Sequence, residues 1–134
     1  MGAAETVCLK AVMNSYAFEY YRPLVRVKRF IEANYGEEIS LLEAARVAAL
    51  ERSYFSTFFR KKVGINFRDW LGQVRVAKAM AMFEREDWTV SEVAFAVGFA
   101  DLSTFTRTFK KVTNMTPSLY KRMVSPDNQL PHEK

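Results

Sequence analysis

The chain has 134 residues, 49% of them hydrophobic, and 20 Lys and Arg against 15 Asp and Glu give it a net charge of +5. That much apolar surface excludes wholesale disorder, and the basic balance allows a polyanionic partner without naming one. The single cysteine, Cys8, excludes an internal disulfide or a cysteine-based zinc site, and neither a signal core nor an apolar run of about 18 residues is present; the expectation is a soluble protein of a reducing cytoplasm.

Residues 1–21 read as an N-terminal arm, as a helix packed on the domain, or as the remnant of a preceding region. Val7, Cys8 and Leu9 with Ala11, Val12 and Met13 suggest a short helix, and Tyr16 to Tyr21 is aromatic for a free tail. A domain is expected over 22–123. Its first helix runs from about Pro23 to Tyr35, with Pro tolerated in the first turn. Leu24, Val27, Phe30 and Ile31 share one face, and Gly36 is the expected stop.

Ser40 and Glu43 have capping-box spacing and open a short Ala-rich helix to about Val47. A turn at Ala49, Leu50 and Glu51 leads to a helix from Arg52 to Val63, stopped by Gly64. Asn66 caps a long linking helix, about 67–84, with Trp70, Leu71, Val74 and Met82 among its apolar positions. Thr89 and Glu92 form a second capping box, opening a helix to Ala96. Gly98 sits in the next turn, where positive φ is cheap for glycine. Asp101 caps a helix to about Val112, and Thr116-Pro117 starts a last one to Met123. The segment 124–134 reads as a flexible tail.

The pattern is a repeat. Glu43 and Glu92, Ala45 and Ala94, and Leu50 and Phe99 are 49 apart. After a one-residue insertion the offset of 50 pairs Phe55 with Phe105, Phe59 with Phe109, Lys61 with Lys111 and Gly64 with Asn114. Gly and Asn best tolerate a left-handed helix stop. Each copy is a short capped helix, a tight turn and a longer helix, which is a helix-turn-helix, at about 40–63 and about 89–112. A solenoid would need more than two copies. The expected fold is all-α: two helix-turn-helix subdomains joined by a long linking helix, a homeodomain-like tandem.

At a helical period, Leu102, Phe105, Phe109 and Val112 face inward in the second copy. Ser103, Thr104, Arg107, Lys110 and Lys111 face the other way with no acid among them. In the first copy Phe55 and Phe59 point inward, Ser53, Thr57, Arg60 and Lys61 outward, and Tyr54 lies at the flank. A solvated helix face more often mixes charges to gain i,i+4 pairs, whereas a helix in a major groove reads bases with Arg, Ser and Thr and holds phosphates with Lys and Arg. Arg107 has the strongest claim to direct readout, because a guanidinium can bond guanine O6 and N7 together. Thr104 suits a thymine methyl or a weaker hydrogen bond. The short side chains of the first copy suit close or water-bridged contact, or that helix mainly anchors to backbone through Arg60, Lys61 and Lys62.

The run Val93-Ala94-Phe95-Ala96-Val97-Gly98-Phe99, continuing through Ser103, Phe105, Arg107, Phe109, Lys110 and Lys111 to Thr116, Pro117, Tyr120 and Lys121, resembles the signature of the AraC/XylS family of transcriptional regulators. Ala45, Phe59, Gly64, Phe67, Arg75 and Ala79 extend the resemblance to about residues 24–123. It implies a seven-helix DNA-binding domain whose two helix-turn-helix units are rigidly joined by the long helix. It also implies base-contacting roles for Ser53, Ser56, Thr57, Ser103, Thr104 and Arg107; phosphate contacts by Arg60, Lys61, Lys110 and Lys111 are expected from their charge near the C-terminal ends of the two helices. Val93 stands for a usual Ile, Asn114 for a usual Gly, and Glu51 where a Ser cap is common, which weakens the capping expected of the first recognition helix.

The function implied is sequence-specific binding of double-stranded DNA by a transcriptional activator at the nucleoid, with RNA polymerase as a further partner. A monomer is expected of this chain, or a dimer if it is part of a longer protein. The alternatives are a protein-interaction module for an acidic partner and a nonspecific nucleoid-binding protein. No cofactor, metal site or catalytic residue is expected: the only histidine, His132, lies in the tail, no Gly-rich phosphate loop is present, and Glu84, Glu86 and Asp87 read as a solvated turn.

Overall fold

In the computed structural model, residues 14–125 are described; the helix expected around Val7 to Met13 and the tail from 126 onward lie outside them. Eight helices follow one another in this stretch: α1 Ala17–Tyr20, α2 Arg22–Asn34, α3 Leu41–Ala48, α4 Arg52–Val63, α5 Phe67–Arg85, α6 Val90–Ala96, α7 Leu102–Thr113 and α8 Pro117–Val124. No strand occurs among the described residues, and none of their helices is long and apolar enough to cross a membrane.

From α3 onward, a side chain placed just before each helix satisfies one of the N–H groups that the first turn leaves without partners, whereas α1 and α2 start without such a cap. Ser40, Asn66, Thr89 and Thr116 accept from the backbone N–H of Glu43, Asp69, Glu92 and Leu119. The reciprocal bond of a full capping box forms only in the second copy, where Glu92 accepts from Thr89 N at 2.9 Å. Glu51 overturns the weakened cap expected for α4: its carboxylate accepts from Tyr54 N at 3.0 Å. The long Glu side chain folds back far enough to do what a Ser does elsewhere. Gly64 and Asn114 end α4 and α7 in the left-handed conformation, at φ +103° and +65°. Gly36 is not such a stop, since its φ is not positive; its lack of a side chain serves a close approach described below.

Two apolar clusters form, and α5 contributes to both. Phe67, Trp70 and Leu71 close the first around Leu24, Val27, Ile31, Phe55 and Phe59. Val76, Ala79, Met80 and Phe83 open the second, with Val93, Ala94, Phe105, Phe109 and Tyr120. The repeat is therefore longer than the motif read from the sequence. Val27 and Val76, and Ile31 and Met80, are buried pairs 49 apart, while Trp70 and Tyr120 are a buried pair 50 apart. The last helix of the first unit is the first helix of the second.

Paired rings fill each unit in the same way: the Phe55–Phe59 centroids are 5.7 Å apart and the Phe105–Phe109 centroids 5.6 Å. The first core also takes α1, with Ala17 and Phe18 buried and the Phe18 ring stacked on Trp70 at 4.8 Å. Of the readings open for the N-terminal arm, residues 17–20 thus follow the packed helix. In the second unit the Tyr120 phenol donates to the Glu84 carboxylate, tying α8 to α5. Burial, then that carboxylate, push the phenol's pKa above its ordinary value.

Candidate nucleic-acid interface

With two phenylalanines of α4 and two of α7 sunk into the cores, the rest of each helix is left outside. On α4, Ser53, Thr57, Arg60 and Lys61 are exposed and Ser56 is half-buried. On α7, Ser103, Arg107, Lys110 and Lys111 are exposed and Thr104 is half-buried. The anticipated cationic faces are thus open to solvent in both copies. The offset of 50 superposes their chemistry: Ser53 on Ser103, Thr57 on Arg107, Arg60 on Lys110, Lys61 on Lys111.

Among the described residues the cations of these two faces take part in no ion pair; Arg29, Arg46, Arg68 and Arg122 elsewhere do not either, so it is the repetition in register that marks the two faces. Among the described residues the ion pairs are Lys78 with Glu32 and Lys121 with Asp87, both away from α4 and α7. Within the same residues, Arg60, Lys61, Arg107, Lys110 and Lys111 have no acid at salt-bridge distance. Lys62, read from the sequence as a third anchor on α4, is spent differently, with its ammonium 4.9 Å from the Tyr21 ring centroid and 5.9 Å from that of Phe58.

The acids nearest these faces are the caps. Asp101 accepts from Thr104 N at 2.6 Å. That backbone bond is the main reason its carboxyl lies below the ordinary aspartate value, with smaller help from the Thr104 hydroxyl and the Arg107 charge. Glu51 is lowered too, first by the Tyr54 N–H and then by that of Ser53. Both carboxylates sit at the positive end of a helix dipole, at the rim of the basic face rather than within it.

Two residues depart from the sequence reading. Leu102, expected in the core, is 40% exposed at the start of α7; in the first turn of a helix the apolar stripe can run past the edge of the core beneath it. Tyr54, placed at the flank, is 58% exposed and stacks on Phe58 at 6.0 Å. The register of 50 puts it opposite Thr104, a signal in the sequence that the inward-outward count alone missed.

A tandem of four-helix units sharing one helix, each with a short helix, a left-handed turn and a cationic helix after it, defines the class of helix-turn-helix proteins. Comparison with known proteins agrees. The family model described as "Helix-turn-helix domain" matches residues 44–123. The regulatory protein PocR of Salmonella typhimurium is 28% identical over 103 residues, a match covering 77% of this chain and 34% of that protein. The crystal structure of the DNA-binding domain of AdpA, a global transcriptional factor in complex with a target DNA, is 27% identical with a TM-score of 0.70, covering 74% of this chain and 89% of that one. A probable AraC family transcriptional regulator from Rhodopseudomonas palustris shares the fold, at 21% identity and TM-score 0.70, covering 78% of this chain and 98% of the other. The chain belongs to the AraC family of helix-turn-helix, DNA-binding transcriptional regulators. It spans about a third of the length of PocR.

Proposed function

We propose that this chain binds double-stranded DNA sequence-specifically, in the cytoplasm at the nucleoid, by inserting α4 and α7 into successive major grooves, and that it activates transcription there with RNA polymerase as its second partner. One observation carries the reading: two exposed faces, repeated in register, whose Arg and Lys side chains have no acidic partners among the described residues. Phosphates are the partners such cations lack. The 19 residues of α5 span about 28 Å, comparable to the groove repeat of about 34 Å.

In this reading Ser53, Ser56, Thr57, Ser103, Thr104 and Arg107 face base edges, while Arg60, Lys61, Lys110 and Lys111 hold the backbone. Two reading helices in one chain let a monomer cover both half-sites. Selection of duplexes from a randomised pool, followed by titration at two salt concentrations, tests the reading. Sequence-specific recognition gives a preferred duplex that survives excess random DNA, and an affinity that falls steeply with salt. Equal binding of all duplexes would replace specific by nonspecific binding, and no binding would turn the basic faces toward an acidic protein. Transcription of a reporter placed behind the preferred duplex then separates activation from repression.

A further inference from the structure

The two units share α5, and a long helix takes up a gentle curvature set by what packs against it. A second connection runs beside it. Arg75 sits in the middle of α5, between the residues that serve the first core and those that serve the second. Its side chain reaches across to the end of α2, where Nε donates to the Tyr35 carbonyl at 2.9 Å and Nη2 to the Glu37 carbonyl at 2.7 Å. The same guanidinium lies 5.9 Å from the ring centroid of Phe99, in the turn before α7. One planar group therefore touches the chain leaving the first helix of unit one and the turn of unit two.

The surrounding seam is built for contact. A side chain at Gly98 would place its Cβ 2.4 Å from the Tyr35 carbonyl oxygen and 2.7 Å from Arg75 Nε. At Gly36 it would stand 2.8 Å from the Ala96 carbonyl oxygen. Tyr35 packs against both apolar clusters, and Lys78 pairs with Glu32 at 2.8 Å while lying 5.2 Å from the Tyr35 ring centroid. Burial lowers the pKa of Arg75, yet its charge is met by two carbonyls and a ring face.

The geometry points to Arg75 as a positioning residue that locks the first recognition helix relative to the second, so that the protein measures the separation of two half-sites on DNA. The measuring role rests on the DNA reading proposed above; the lock does not. Only a guanidinium supplies two donors in one rigid plane, and a lysine at 75 would reach one carbonyl as a point charge.

The test has two arms. Nitroxide labels at Lys61→Cys and Lys111→Cys, in a chain carrying Cys8→Ser, report the distance between α4 and α7 by pulsed dipolar spectroscopy. A single narrow distribution is expected with Arg75 and its loss with Arg75→Met. Arg75→Lys, which keeps the charge, is expected to broaden the distribution too, and it replaces Arg75→Met should that variant fail to fold by circular dichroism. In the second arm, unlabelled proteins bind a duplex selected with the parent chain and a version with one base pair inserted between half-sites, which shifts them by about 3.4 Å and about 35°. The parent chain is expected to lose about tenfold or more in affinity, and the variants less than about threefold. Unchanged label distances, or a full spacing penalty kept by both variants, would overturn the proposal. Broadened distances beside a parent chain that prefers no duplex would establish the lock and refute the DNA reading.

Discussion

Ala49 and Gly98 stand at the same place in the two turns, 49 residues apart, and both hold left-handed backbone, at φ +61° and +106°. Their surroundings differ. Ala49 is exposed, whereas the space that a Cβ at Gly98 would need is occupied by Tyr35 and Arg75. One turn therefore tolerates a side chain at the cost of strain, and the other excludes one.

The two positions should respond oppositely to exchange. Ala49→Gly relieves a left-handed alanine but loosens the unfolded chain, for a net gain of about 0.5–1 kcal/mol. Gly98→Ala adds the strain and also drives a methyl into a carbonyl and a guanidinium, for a loss of about 2–4 kcal/mol. Urea unfolding of both variants checks this; a stabilised Gly98→Ala would mean that the seam gives way easily.

Phe18 lies ahead of the expected domain, yet it belongs to the first core, stacked on Trp70 and edge-on to Phe59 at 5.8 Å. Phe18→Ala should cost about 3–5 kcal/mol and alter the near-ultraviolet dichroism of Trp70. A change under about 1 kcal/mol, with an unaltered spectrum, would show α1 to be dispensable.

The acid side of stability should depend on the caps. The folded-state pKa values of Glu51 and Asp101 are lowered below those of free side chains. Their contribution is therefore complete above the unfolded values, at about pH 4–5, and is lost as pH falls through the folded ones. Asp101→Asn keeps an acceptor for Thr104 N without a titrating group. It should flatten the fall in urea midpoint between about pH 5 and pH 3, whereas Asp101→Ala should lower the midpoint at neutral pH as well. Parallel pH curves for the parent chain and Asp101→Asn would assign the acid sensitivity elsewhere.

The helices and their ends were legible in the sequence because local chemistry decides them: Ser40, Asn66, Thr89 and Asp101 act as caps wherever a helix begins beside them. The outward faces of α4 and α7 were legible because two phenylalanines four apart fix which side of each helix is inside. Contacts between units were not. Gly36 reads as a helix stop until Ala96 is seen against it, and nothing local to Arg75 shows that its acceptors are the carbonyls of Tyr35 and Glu37. Glu51 was misjudged on propensity alone, which ranks residue types and ignores how far a side chain can fold back. The dual use of α5 was hidden because its two halves bury different faces, blurring any single apolar stripe.

Arg107 and Lys110 offer the sharpest division of labour on α7. Both are exposed, and neither has an acidic partner within salt-bridge distance among the described residues. Their positions differ: Arg107 lies midway along the helix, on the side of Ser103 and Thr104, and Lys110 lies in its last turn. A guanidinium there can take guanine O6 and N7 together, so Arg107→Ala should flatten preference at one base position by about 10–100-fold. An ammonium on a phosphate carries no sequence information, so Lys110→Ala should weaken every duplex alike and reduce the salt slope by about 1. Binding of each variant to the selected duplex and its single-base changes, at several salt concentrations, checks both. If the two substitutions produced the same profile, α7 would be held by charge alone, and the bases would have to be read by α4 or through the shape of the DNA.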